Sequence, residues 1–180
     1  MIHAHCTHHL NWLLQNNSVV SFSNMIILDV CLTGWKSFQE RCYKVFSETK
    51  TWPEAKRYCE SVNGNLASIT SEQINDFITD LVAKSGVEYP WIGGKLNCDF
   101  EWTDGTPFDF TKWDIQWDGQ PNECTQSYGC VEIVNGKWHD FRCNFQRAFI
   151  CQKMSMTWFC SSKQYINIRA LTKILTIEFC

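Results

Sequence analysis

Eleven cysteines in 180 residues confine this chain to a crosslinked fold. Zinc binding in the cytosol is the rival use for so many thiols. It needs close pairs such as Cys-x-x-Cys, and the chain has none. A disulfide framework belongs to an oxidising compartment, so the expected location is extracellular or secreted. Met1 to Val30 does not read as a secretion signal: it lacks a basic leading stretch, and Asn16, Asn17, Ser18 and Asn24 break its apolar runs. The cysteines decide the compartment. Their odd number leaves at least one unpaired or paired between chains.

The densest local signal runs from Gly129 to Cys143. Val131–Val134 and Lys137–Phe141 read as two strands, joined by Asn135-Gly136, the commonest sequence for a two-residue hairpin turn. Cys130 and Cys143 stand at its outer ends, and Phe149-Ile150-Cys151 forms a later apolar strand. Upstream, Gly34-Trp35 to Val45-Phe46 reads as a small hairpin. A helix begins near Thr51, with Pro53 in the first turn, where its missing N–H costs nothing. Trp52, Ala55, Cys59 and Val62 recur at helical spacing, and Gly64 is placed to end the helix. Leu66 to Ile69 is a short strand. A second helix starts at Thr70 or Ser71, with Thr70 and Gln73 fitting a capping box. Ile74, Phe77, Ile78, Leu81 and Val82 give it one apolar face, and Gly86 closes it. Pro90–Gly94 and Phe100–Trp102 read as strands. From Asp104 to Tyr128 there is no clean period. A loop this long is functional or disordered, and its tryptophans favour an ordered, functional one.

Composition shifts near Cys31 and again after Lys153. The expected organisation is one domain over 31–153, flanked by extensions over 1–30 and 154–180. The second extension reads as a short helix, a strand or no part of the fold. Cys6, Cys160 and Cys180 lie in the extensions and receive no assigned partner. The net charge of −3 argues against nucleic acid as a partner. No apolar run is long enough to be a transmembrane segment.

Taken in order, Gly34-Trp35, Cys42-Tyr43, Trp52-Pro53-Glu54-Ala55, Cys59, Leu66-Ala67-Ser68-Ile69, Trp91-Ile92-Gly93, Glu101-Trp102-Thr103-Asp104-Gly105, Cys130-Val131, Trp138-His139-Asp140, Cys143 and Phe149-Ile150-Cys151 resemble the C-type lectin domain. The resemblance spans about 120 residues, the size of one domain. It implies an α+β fold, with two helices flanking antiparallel sheets and a long loop held by disulfides. It also implies the pairs Cys31–Cys42, Cys59–Cys151 and Cys130–Cys143. Cys98 and Cys124, left inside the domain, bracket the long loop and are expected to pair with each other.

In lectins of this family a calcium ion in the long loop binds sugar hydroxyls. Its ligands come from a Glu-Pro-Asn or Gln-Pro-Asp tripeptide, a Glu two residues before the loop cysteine, and an Asn-Asp pair after the hairpin Trp. Here Gln120-Pro121-Asn122 stands at the tripeptide, with a cis proline implied, and Asp140 retains its place. Tyr128 occupies the Glu position and His139 the Asn position. Fewer charged ligands weaken calcium binding, although Glu123 follows the tripeptide directly. The metal set implied by the resemblance is therefore Gln120, Asn122, Glu123 and Asp140. A second calcium site needs acids after Trp91-Ile92-Gly93. Gly94, Lys95, Leu96 and Asn97 stand there instead, so that site is expected to be absent.

Each of these residues also has a plainer reading. Gln120 and Asn122 suit an ordinary turn around Pro121. Trp113 and Trp138 suit core packing beneath the loop. Trp117 is the better aromatic candidate for ligand contact. The His3, His5, Cys6, His8, His9 tract is a terminal extension rather than a metal site. Glu101 and Asp104 read as acids of surface turns. No Gly-x-Ser-x-Gly, His-Glu-x-x-His or phosphate loop is present, so an enzyme is not expected. Two ligand classes remain. One is a glycan, bound through a depleted calcium site at Gln120, Asn122, Asp140 and Glu123. The other is an extracellular protein surface, bound without calcium through Trp117, Tyr128 and His139.

Overall fold

The computed structural model describes residues 20–22, 25–97, 99–116, 119–121, 129–160 and 165–167. The chain divides into two compact units, Gly34–Met154 and a second formed by Met1–Thr33 with Ser155–Cys180. In the second unit, β1 (Val20–Phe22), β2 (Met25–Val30), β11 (Met156–Cys160) and β12 (Tyr165–Asn167) form an antiparallel sheet in the order β1-β2-β11-β12. Both extensions thus supply strands to one sheet.

The larger unit is an eight-stranded sheet with two helices among the described residues. Its strands are β3 (Lys36–Phe38), β4 (Arg41–Lys50), β5 (Asn65–Leu66), β6 (Trp91–Asn97), β7 (Asp99–Trp102), β8 (Cys130–Val134), β9 (Lys137–Phe141) and β10 (Arg147–Met154). They run in the order β3-β4-β10-β6-β8-β9, with β5 beside β10 and β7 beside β6. The sheet is mixed rather than wholly antiparallel, because β10 runs parallel to β6 where Phe149 meets Trp91. The connection between them is long enough for the crossover that a parallel pair requires. In β4, Tyr43 lies between Lys36 of β3 and Gln152 of β10, so the first and last strands of the unit flank the same residue.

Helix α1 (Trp52–Ser61) starts where its sequence predicts. The Glu54 carboxylate accepts from the Thr51 amide at 2.9 Å and from its hydroxyl at 2.6 Å. This reciprocal cap satisfies donors that the first turn leaves orphaned. Trp52, Ala55 and Cys59 face inward. The left-handed residue that ends the helix is Asn63, with φ +58°, not Gly64. Gly64 is required for another reason: a Cβ there would lie 2.4 Å from the carbonyl oxygen of Gln152.

Helix α2 (Glu72–Ser85) is capped by Ser71, whose hydroxyl accepts from the Ile74 amide at 3.3 Å. The Thr70–Gln73 box does not form, because the chain enters the helix one residue later than that motif requires. Gly86, at φ +70°, ends it as expected. The strand expected over Leu66–Ile69 is shorter and earlier, Asn65–Leu66. Ala67 still bonds to Ile150 and Gly93 through its backbone, without continuing a ladder.

Two clusters make the core. Tyr43, Ile69, Ile78, Ile92, Trp102, Ile133, Trp138 and Ile150 form one; Trp52, Leu66, Trp91 and Phe149 surround Cys59 and Cys151 in the other. Burying a side chain such as Ile133 or Phe149 contributes about 1.5–3 kcal/mol. The Cys59–Cys151 disulfide ties α1 to β10 across 92 residues, with Cα atoms 5.4 Å apart. In the chain-entropy account such a long closure stabilises by about 4–5 kcal/mol. Cys31 and Cys42 are each disulfide-bonded.

Candidate functional site

The site is built on the β8–β9 hairpin. Asn135 and Gly136 turn it with φ of +48° and +77°, the left-handed pair that matches strand twist. Helix α2 holds this turn: the Asn75 amide donates to the Gly136 carbonyl at 3.0 Å, and Asn75 Oδ1 accepts from the Trp138 indole at 2.9 Å. At the other end, Cys130 and Cys143 are disulfide-bonded, with Cα atoms 5.2 Å apart. Expected and observed pairings agree here and at Cys59–Cys151.

The long loop returns along β9 and bonds to it. The Trp138 amide donates to the Lys112 carbonyl at 2.9 Å, and the Asp114 amide donates to the Trp138 carbonyl at 3.1 Å. Trp113 is half-buried, with its ring 5.7 Å from that of Trp138 and 4.6 Å from that of Phe100. Phe108 packs at 4.7 Å from Trp102. These rings floor the loop, so both Trp113 and Trp138 are packing residues.

Three of the sequence-predicted site residues converge on this frame. Gln120 is buried, and its Oε1 accepts from the Asp140 amide at 2.7 Å. The Gln120–Pro121 bond is cis, as the resemblance implied. Asp140 is also buried, and next to it His139 Nε2 lies 3.3 Å from Asp114 Oδ2. Trp117, Asn122, Glu123 and Tyr128, and the expected Cys98–Cys124 pair, lie outside the described residues.

Calcium takes six to eight oxygens. The described residues offer Gln120 and Asp140, and one lone pair of Gln120 Oε1 is already used on a backbone amide. At the position where the family has Asn, His139 presents an imidazole engaged with Asp114. Among the described residues no three His, Cys, Asp or Glu side chains converge as a metal cluster. The described donors do not by themselves fit the ion.

Two acids were misread or missed in the sequence. Asp104 is not a surface turn acid: its side chain is 7% exposed and forms a hub. Oδ2 accepts from Ser68 Oγ at 2.8 Å, Gln152 Nε2 at 2.7 Å and Arg41 Nη1 at 3.1 Å, while Oδ1 accepts from the Thr106 amide and hydroxyl. Burial pushes its pKa up, but the bonds from Thr106, Ser68 and Arg41 outweigh that and hold it below the usual value. Glu132 sits opposite His139 in the hairpin, its side chain 3% exposed and bonded to Arg147 Nε at 2.9 Å. Burial raises its pKa, and Arg147 and His139 only partly offset this. Val131 and Ile133 point to the opposite face of β8 from Glu132, and both faces of this strand are buried; an acid in the middle of an otherwise apolar strand is the signal that could have marked it.

Residues 48–153 match the family model for the lectin C-type domain. A lectin from Pleurodeles waltl is 35% identical over 133 residues, covering 68% of this chain and 75% of that protein. Among solved structures, a calcium-independent type II antifreeze protein superimposes with TM-score 0.63 at 30% identity, over 72% of this chain and 98% of its own. The carbohydrate-recognition domain of cow CD23, solved with a GlcNAc2Man3 oligosaccharide, gives TM-score 0.62 at 30% identity, over 71% of this chain and 98% of its own.

Proposed function

The chain belongs to the C-type lectin domain family, a family of binding modules rather than enzymes, and on that premise we propose that it is an extracellular recognition module whose long-loop face binds a protein surface without calcium. One observation carries this reading. Gln120 Oε1 is turned onto the Asp140 amide, and beside it His139 faces Asp114. Protein groups thus hold the loop's described part where a sugar-binding relative would use the ion. Trp117 and Tyr128 are the residues assigned to contact the partner; His139, expected beside them, is 9% exposed and turned to Asp114, so its role is to hold the loop. Aromatic side chains supply much of the energy at such surfaces. A neighbour named for calcium independence supports the same reading.

Calcium-dependent glycan binding is the second reading. The adjacency of Gln120 and Asp140, with the tripeptide ten residues before Cys130, favours it.

A calcium titration separates the two. A ligand present at a hundredfold over its Kd stabilises the native state by about 2.7 kcal/mol. In a domain this size that raises Tm by about ten degrees. The proposed reading expects melting curves that coincide in millimolar calcium and in chelator. A calcium-dependent rise in Tm, together with glycan-array binding abolished by chelator, would overturn it.

A further inference from the structure

We infer that the Cys130–Cys143 disulfide is a thiol-exchange site, open to a small anionic thiol, whose reduction releases the base of the long-loop hairpin. The two crosslinks with described geometry sit in different surroundings. Cys59 and Cys151 are wholly buried, packed among Trp52, Leu66 and Phe149. Cys143 is half-buried and lines a surface cleft with Thr51, Pro53 and Asn144. A nucleophile has a path to one disulfide and none to the other.

A cation completes the site. Lys95 Nζ donates to Cys143 Sγ at 3.3 Å, and Lys95 stands directly opposite Cys130 in the β6–β8 register. A neutral disulfide is a poor partner for an ammonium, whereas a thiolate is a good one. Burial already disfavours the charged form of Lys95. Reduction places a negative sulfur beside that partly desolvated cation, so the reduced state gains what the oxidised state lacks. Stabilising the reduced form is how a protein makes a disulfide easier to reduce.

The exchange balances with a thiol reductant. The incoming thiolate attacks Cys143 Sγ from the cleft and the S–S bond breaks. The bonding pair leaves on Cys130 Sγ as a thiolate, whose charge is offset by the Lys95 ammonium opposite it in the β6–β8 register. A second thiolate attacks the mixed disulfide on Cys143, releasing that sulfur and forming the oxidised small-molecule disulfide. Two electrons pass to the protein. The hairpin carrying His139 and Asp140 then loses its covalent closure and is held by the β8–β9 and β6–β8 ladders, the Asn75 clamp and the backbone bonds of Trp138 to Lys112 and Asp114.

The test uses the native full chain in graded glutathione buffers, followed by acid quench, alkylation and peptide mass mapping. Cys130 and Cys143 are expected to be labelled in buffers where Cys59 and Cys151 stay oxidised, with the glutathione adduct on Cys143. Lys95→Met is expected to require about tenfold more reducing conditions, equivalent to about 30 mV, and Lys95→Arg to restore the wild-type midpoint. Simultaneous labelling of all four cysteines, an adduct on Cys130, or a folded Lys95→Met with an unchanged midpoint would each overturn the assignment. The wild-type order decides it without any variant.

Discussion

Trp138 donates its indole N–H to Asn75 Oδ1 across 2.9 Å, joining the first turn of α2 to the hairpin that carries the candidate site. Through its other side-chain atom Asn75 also holds the Gly136 carbonyl, so one amide fixes both the turn and the strand behind it.

Replacing that amide should therefore cost more than one bond. In Asn75→Ala, the Trp138 indole, which is wholly buried, and the Gly136 carbonyl both lose their partner. Leaving a buried polar group unsatisfied costs about 1–3 kcal/mol. Urea denaturation should show a loss of about that size at unchanged m-value. A loss below about 0.5 kcal/mol would mean that water takes over both bonds.

The two buried acids give opposite pH dependence. Asp104 has its folded pKa below 3.8, so its contribution to stability is present above that value and drains as pH falls through the folded pKa. Glu132 has its folded pKa above 4.5, so its contribution is full below 4.5 and declines as pH rises through the folded value. Melting temperatures between about pH 2.5 and 7 should show a shallower acid limb in Asp104→Asn, with a loss of about 1.5–3 kcal/mol at neutral pH. Glu132→Gln should instead flatten the decline that begins above pH 4.5.

Gly64→Ala tests a backbone approach. The added methyl would meet the Gln152 carbonyl oxygen at 2.4 Å, and no flexible side chain stands there to yield. The expected cost is about 1–3 kcal/mol, read as a fall in Tm. An unchanged Tm would show that β10 can move away from the end of α1.

Calcium dependence should be installable. Tyr128→Glu with His139→Asn restores the family's oxygen donors around Gln120 and Asp140. The double variant is expected to gain several degrees of Tm in millimolar calcium, while the parent shows no change. Equal responses in the two proteins would remove the argument that these two positions set the metal requirement.

Local features were legible where a few adjacent residues determine the outcome. Pro53 marks the start of α1, Asn135-Gly136 the hairpin turn, and Gly86 the end of α2. The order of cysteines and aromatics carried the family resemblance, and that resemblance implied the fold and the Cys59–Cys151 and Cys130–Cys143 pairs. Asp104 was not legible, because it does sit in a turn, as read, while its partners Arg41, Ser68 and Gln152, which draw the carboxylate inward, lie 36 to 63 residues away. Gly64 was read as a helix stop because its true constraint, the Gln152 carbonyl, is set by tertiary approach. At the site, spacing brought Gln120 near Asp140, but the Asp114–His139 contact depends on how the loop folds back along β9, which no periodicity records.

The placement of Tyr43 between Lys36 and Gln152 has an evolutionary consequence. Entry and exit strands on either side of β4 set Lys36 and Gln152, each two residues from an end of the unit, about 10 Å apart, twice the interstrand spacing. A body whose ends meet can be spliced into a host's surface loop, or strung between unrelated neighbours, without stretching either attachment. The same architecture is thereby suited to transplantation as a cassette, with its recognition face free to diversify while the seam stays constant.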